Sequence, residues 1–319
     1  MTAAERAADL GYAAGWRLVR ELPEPVARGA FDLGADLAAW RGGPGVRRLR
    51  ANYARVRPDL PAEALDELTR AGVRSYARYW REAFRLPAMD VTALADEVDD
   101  DVVGREHLDA ALARGRGAVV ALTHSGNWDV VGAWAVQRYG GFATVAERLR
   151  PESLFQRFVA YRESLGFEIL PMTGAEAPVR GLLRALRAGR IVCLVADRDL
   201  SHRGVGVDFF GHRAAMPPGP ASLAAATGAP LLPLGCWFTE RGWGFRIHEP
   251  ITVGSRDDVP AATQAMADAF AGEIAEHPQD WHMLQRIWPD LGQSTSTSTR
   301  VSSNATSPAI AARAGVGDP

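Results

Sequence analysis

Not one lysine occurs among the 319 residues; all 36 basic side chains are arginine. That absence excludes a Schiff-base lysine and a phosphate-loop lysine. Cysteine is scarce too. Cys193 and Cys236 each sit inside an apolar run, where a free thiol behaves as a small hydrophobe. Two such residues supply neither a disulfide framework nor zinc-ligand spacing, and the pattern suits a cytosolic protein. A net charge of only −2 gives the chain no polyelectrolyte character, so nucleic acid is not an expected partner. Long apolar runs are missing as well. Arg17 and Arg20 interrupt the N-terminal segment, so neither a signal peptide nor a spanning helix is expected, and any membrane contact is peripheral.

What is present is enough hydrophobic residue, 47%, to build a sizeable core. Residues 1–89 read as helical: Leu10, Ala14, Leu18 and Leu22 recur every four positions until Pro23 and Pro25 end the pattern. A second helix runs from about Val26 to Trp40 and stops at Gly42-Gly43-Pro44-Gly45. Arg41, Arg47, Arg48, Arg50, Arg55 and Arg57 follow with no acid between them, and a third helix spans Pro61–Phe84. From Gly117 onward the texture changes. Apolar runs at Ala118–Thr123, Phe142–Ala146, Phe167–Met172, Ile191–Ala196, Pro230–Phe238 and Phe245–Ile251 alternate with helical stretches such as Pro151–Leu165 and Pro178–Arg187. Strand–helix alternation of this kind predicts an α/β fold, a central mostly parallel sheet flanked by helices, with amphipathic helices at the N-terminus. Residues 1–292 are expected to form one domain, 1–89 its helical part and 90–292 its α/β core. The Ser/Thr-rich residues 293–319 read as a disordered tail.

His124 follows the run Ala118–Leu122, which places it at the C-terminal end of a strand, where open α/β sheets bind ligands. Asp129 lies five residues on, past a Ser-Gly-Asn turn and within the first turn of the next helix. A turn there can fold its carboxylate back onto one imidazole nitrogen and leave the other as a base. A His–Asp pair at this spacing also serves as a helix cap or a surface feature, and that alternative stays open. No second His or Cys lies near His124, so no metal is expected. Ser125 lacks the Gly-x-Ser-x-Gly elbow of serine hydrolases, which leaves a base without a protein nucleophile, suited to activating a substrate hydroxyl. A second strand end runs into Asp197-Arg198-Asp199, either an ion-pair network or groups that orient His124 or hold a polar substrate.

The blocks THSGNWD, ADRDLSHRGVGVDFFG, PPGPASLAAATGAPLLP and HPQDWHMLQRIW, in this order and spacing, resemble the lysophospholipid and lipid A biosynthesis acyltransferase superfamily over roughly residues 45–290. Within it the chain looks most like the branch that acylates phosphatidylinositol mannosides. The lipid A branch usually has glutamate where Asp129 stands, and commonly a spanning N-terminal helix. The resemblance implies transfer of a long acyl chain, typically palmitoyl, from acyl-CoA to the 6-hydroxyl of a mannose; a base without a protein nucleophile suits direct transfer in a ternary complex. No cofactor is implied beyond acyl-CoA as donor substrate. It assigns His124 as general base and Asp129 as its partner, and gives Asp197, Glu147 and Arg162 substrate-binding or orienting roles; Arg198 joins them from its place at the second strand end, as a candidate donor to the developing oxyanion. Trp128, Phe209 and Phe210 are candidate walls of an acyl groove, with core packing the competing account.

The implied partners are acyl-CoA, a membrane glycolipid acceptor and an anionic membrane surface. Residues 1–89 carry 15 arginines against 11 acids, a bias that lets amphipathic helices rest on anionic lipid at the cytoplasmic face of the cell membrane. A different lipid acceptor, a lysophospholipid or a lipid A-like saccharide, remains a within-class alternative. A membrane-peripheral lipid-binding protein without activity is the alternative from another class.

Overall fold

A computed structural model describes residues 15–146, 152–171, 178–199, 203–240 and 242–288. Helical backbone over residues 15–21 leads into three helices: α1 (Glu24–Arg41), α2 (Pro44–Val56) and α3 (Ala62–Arg85). The glycine run predicted to stop α1 does so. Gly42 takes a left-handed conformation (φ 59°) and donates its N–H to the Ala38 and Ala39 carbonyls. The basic segment that follows is helix α2 itself. α1 lies along α3, tied by Asp36 to Arg70 and Arg74 and by Glu24 to Arg81 and Arg85.

Seven strands form the main sheet: β1 (Val102–Val103), β2 (Ala118–Leu122), β3 (Phe142–Ala146), β4 (Glu168–Pro171), β5 (Ile191–Val195), β8 (Leu231–Phe238) and β9 (Trp243–Ile247). Their order across the sheet is β1-β9-β8-β2-β5-β3-β4. All adjacent pairs are parallel except β8 with β9, so the predicted α/β architecture is the observed one. β6 (Val205–Phe209) and β7 (His212–Met216) form a separate antiparallel hairpin. The sequence reading missed this hairpin. Its turn is unusual in placing Phe210 at a positive φ of 54° ahead of Gly211.

β2 sits at the centre and is buried along its whole length, because helices cover both faces. The period-two alternation of a strand sorts its side chains. Val119 and Ala121 join one core with Tyr53, Met266, Phe270, Trp281 and Trp288. Ala118, Val120 and Leu122 join another with Val130, Trp134 and Phe245. The remaining helices are α4 (Val91–Asp99), α5 (Arg105–Ala113), α6 (Trp128–Tyr139), α7 (Glu152–Ser164), α8 (Pro178–Arg187), α9 (Gly219–Thr227) and α10 (Val259–Glu276). Among the described residues no helix is long and apolar enough to cross a membrane. The expected tail at 293–319 lies outside the described residues.

Candidate active site

β2 ends at Leu122, and Thr123–Asn127 cross the C-terminal edge of the sheet before α6 begins. Two residues hold this loop in shape. Asn127 caps α6, its side-chain oxygen accepting from the Val130 N–H at 3.2 Å. Gly126 has φ 52°, and a Cβ there would stand 2.9 Å from the Cys236 backbone, so only glycine lets the loop press against β8.

The carboxylate that meets His124 is Asp197. Its Oδ1 lies 2.6 Å from His124 Nδ1, and its Oδ2 accepts from the His124 backbone N–H at 3.0 Å and from the Trp281 indole N–H at 2.9 Å. Sheet register explains the pairing. β2 and β5 run parallel with Leu122 opposite Val195, which carries position 124 to the side of position 197. Burial alone would raise the Asp197 carboxyl; the imidazole and the three hydrogen bonds outweigh it, and the net direction is downward. A charged carboxylate on Nδ1 fixes the imidazole proton there. Nε2 is then the hydrogen-bond acceptor on a side chain one third exposed to the cavity.

Asp129 does not fold back onto the imidazole, and this corrects the geometry expected from the sequence. It lies inside the first turn of α6, where the sequence places it, but the helix aims it toward α3 and α7. There it accepts from Arg162 Nε at 2.8 Å and from the Tyr79 hydroxyl at 3.1 Å, with 1% of its surface exposed. Burial opposes the Arg162 cation, but Asp129 outweighs it and keeps the guanidinium charged. Burial, with the same carboxylate adding to it, holds the Tyr79 phenol well above its ordinary range.

His124 opens onto a cavity of about 470 Å³. Trp128, Arg162 and Arg198 line it, as do Tyr79, Phe158 and His282. A smaller space of about 70 Å³ lies behind Trp128 and Arg162, walled by Leu122, Val131, Phe142, Phe167 and Cys193. Phe209 and Phe210 line neither cavity, against the groove expectation. Phe209 is 1% exposed and stacks on Trp288 at 5.8 Å, a core position set by the hairpin. Glu147 lies outside the described residues. Ser125 is buried and bonded to the Thr123 hydroxyl, and among the described residues no hydroxyl or thiol pairs with His124. Among the described residues no three His, Cys, Asp or Glu side chains converge as a metal site.

Sequence reasoning assigned no role to Tyr79, Trp281 or His282. The block HPQDWHMLQRIW was the only signal for the last two. Its segment crosses the site because the Ser125–Trp281 bridge and the His282 N–H to His124 carbonyl bond (2.8 Å) lay it against the THSGN loop.

The described residues thus hold a strand-end histidine backed by a carboxylate, facing a cavity, with no hydroxyl or thiol paired to it. The chain belongs to the bacterial lipid A biosynthesis acyltransferase family, whose model matches residues 3–289. Among its relatives is the phosphatidylinositol mannoside acyltransferase of Mycolicibacterium smegmatis, 58% identical over 281 residues, 88% of this chain and 91% of that protein. The proteins of the same description from two Mycobacterium tuberculosis strains are each 57% identical over 290 residues, 90% of this chain and 91% of theirs.

Proposed function

We propose that this protein moves a palmitoyl chain from acyl-CoA to the 6-hydroxyl of a mannose in phosphatidylinositol mannosides. The relatives' similarity over nine-tenths of the chain supports the acceptor class. The observation that carries the chemistry is the His124–Asp197 pair, which leaves Nε2 as an acceptor toward the cavity. Nε2 removes the proton as the sugar oxygen attacks the thioester carbonyl. The tetrahedral intermediate collapses, the carbon–sulfur bond breaks, and the imidazolium returns its proton to the departing thiolate. General-base help of this kind accelerates a reaction by about 10²–10⁴-fold. Positioning of two bound substrates supplies the rest, in one ternary complex.

Asp129 acts in this reading by fixing Arg162 and Tyr79 as cavity walls. Trp128 and the small apolar space behind it suit the acyl chain, each buried methylene contributing about 0.8 kcal/mol. α1 exposes Val26, Leu33, Leu37 and Trp40, the last at 81%. Their spacing along α1 makes one stripe, which rests on the cytoplasmic face of the membrane with nearby arginines against anionic headgroups.

Incubation with labelled palmitoyl-CoA and a panel of phosphatidylinositol mannosides, lysophospholipids and a lipid A precursor tests this reading. Label on the mannoside is the expected result. Label on another acceptor, or on none, overturns it.

A further inference from the structure

Among the described residues, Nδ1 of His282, a ring that borders the cavity, is a buried polar atom with no hydrogen-bond partner. His282 is 5% exposed, and rings of Tyr76, Tyr79, Trp128 and Phe238 surround it at centroid distances of 5.4–6.3 Å. Its Nε2 lies 2.8 Å from the Ser75 hydroxyl, and that hydroxyl donates its proton to Asp280 Oδ1 at 2.6 Å. A serine has one proton to give. With it committed to Asp280, the hydroxyl accepts from His282, so the His282 proton sits on Nε2. Nδ1 is then a bare lone pair, and among the described residues nothing donates to it.

A buried acceptor left without a donor has lost its water and gained nothing in return. Its polarity limits what can satisfy it. A lone pair repels a developing oxyanion, so His282 is no oxyanion donor. Nor is it a second base: burial, with His124 adding to it, pushes the imidazole down to about 3. What fits is a substrate O–H or N–H.

We infer that His282 Nδ1 accepts a hydrogen bond from a hydroxyl of the acceptor sugar next to the one that His124 activates. This rests on the function proposed above and names a residue that seats its acceptor. His282 and His124 stand on crossing segments joined by a backbone hydrogen bond, and both rings flank Trp128. A sugar that offers one hydroxyl to His124 carries another within a few ångström, and aromatic rings suit its C–H faces. So little of Nδ1 is exposed that the ring turns slightly, or an aromatic neighbour moves aside, as the sugar seats. The nearest amide N–H of the coenzyme A arm is the competing donor.

The experiment measures KM for acceptor and for palmitoyl-CoA, together with acceptor-independent thioester hydrolysis, in wild type, His282→Ala and His282→Asn. Asparagine places an acceptor oxygen near the position of Nδ1. His282→Ala is expected to raise the acceptor KM about tenfold or more, with donor KM and hydrolysis within about twofold. His282→Asn is expected to restore most of the acceptor KM. A rise in donor KM instead, an unmoved acceptor KM, or an asparagine variant no better than alanine overturns the inference. Wild-type protein that transfers nothing to the mannoside overturns the functional reading, a result separate from any difference between variants.

Discussion

Asp197 Oδ1 lies 2.6 Å from His124 Nδ1 across 73 residues of sequence, while Asp129, five residues from His124, turns the other way to Arg162. The two carboxylates therefore carry different burdens, and substitution separates them. Asp197→Asn cannot hold the Nδ1 proton in place and is expected to lower kcat by about 10²–10⁴-fold in a folded protein. His124→Ala is expected to cost about 10³-fold or more. Asp129→Asn leaves the imidazole paired but strips Arg162 of its counter-charge. It is expected to cost about 1–3 kcal/mol of stability, read from urea unfolding. Equal kinetic losses with unchanged stability in both aspartate variants would contradict this division.

Gly126→Ala tests the fit of the loop. The added methyl meets the Cys236 backbone at 2.9 Å in a left-handed conformation, so the loop must move or strain. A stability loss of about 1–3 kcal/mol is expected, with a drop in turnover because His124 rides on the same loop. A variant with wild-type melting temperature and turnover would show that the contact has no such role.

The exposed stripe on α1 makes the membrane reading measurable. Leu33→Ser with Trp40→Ser removes two of its largest apolar groups without touching the cavity. Co-sedimentation with anionic liposomes is expected to fall about tenfold or more. Hydrolysis of soluble short-chain acyl-CoA should stay unchanged. Undiminished liposome binding would remove the stripe from the interface.

His282 predicts a pH dependence of stability. Its folded pKa of about 3 lies below the ordinary histidine value of 6.5. Between those values the unfolded chain binds a proton that the folded chain does not, so stability falls as pH falls through that window. The slope is about 1.4 kcal/mol per pH unit. Between pH 6.5 and 5, wild type should therefore lose up to about 2 kcal/mol more than His282→Asn. Parallel urea titrations of the two proteins at both pH values check this; equal losses would place the His282 pKa near 6.5.

The sequence alone determined the fold class, the strand end that carries His124 and the glycine stop of α1, because each depends on local patterning. Ala118–Leu122 reads as a buried strand from its own residues, and Gly42-Gly43-Pro44 cannot continue a helix. The hairpin at Val205–Met216 was less legible, since its turn places a phenylalanine where glycine or asparagine usually signals one. Partner choice at the site was decided only by the tertiary structure. Proximity in sequence favoured Asp129, but α6 turns that side chain away, while the register of β2 with β5 delivers Asp197. Trp281 and His282 reach the site through a segment more than 150 positions downstream of His124, and no local pattern encodes that crossing. A short motif fixes which residues can do chemistry, and the alignment of distant strand ends fixes which of them meet.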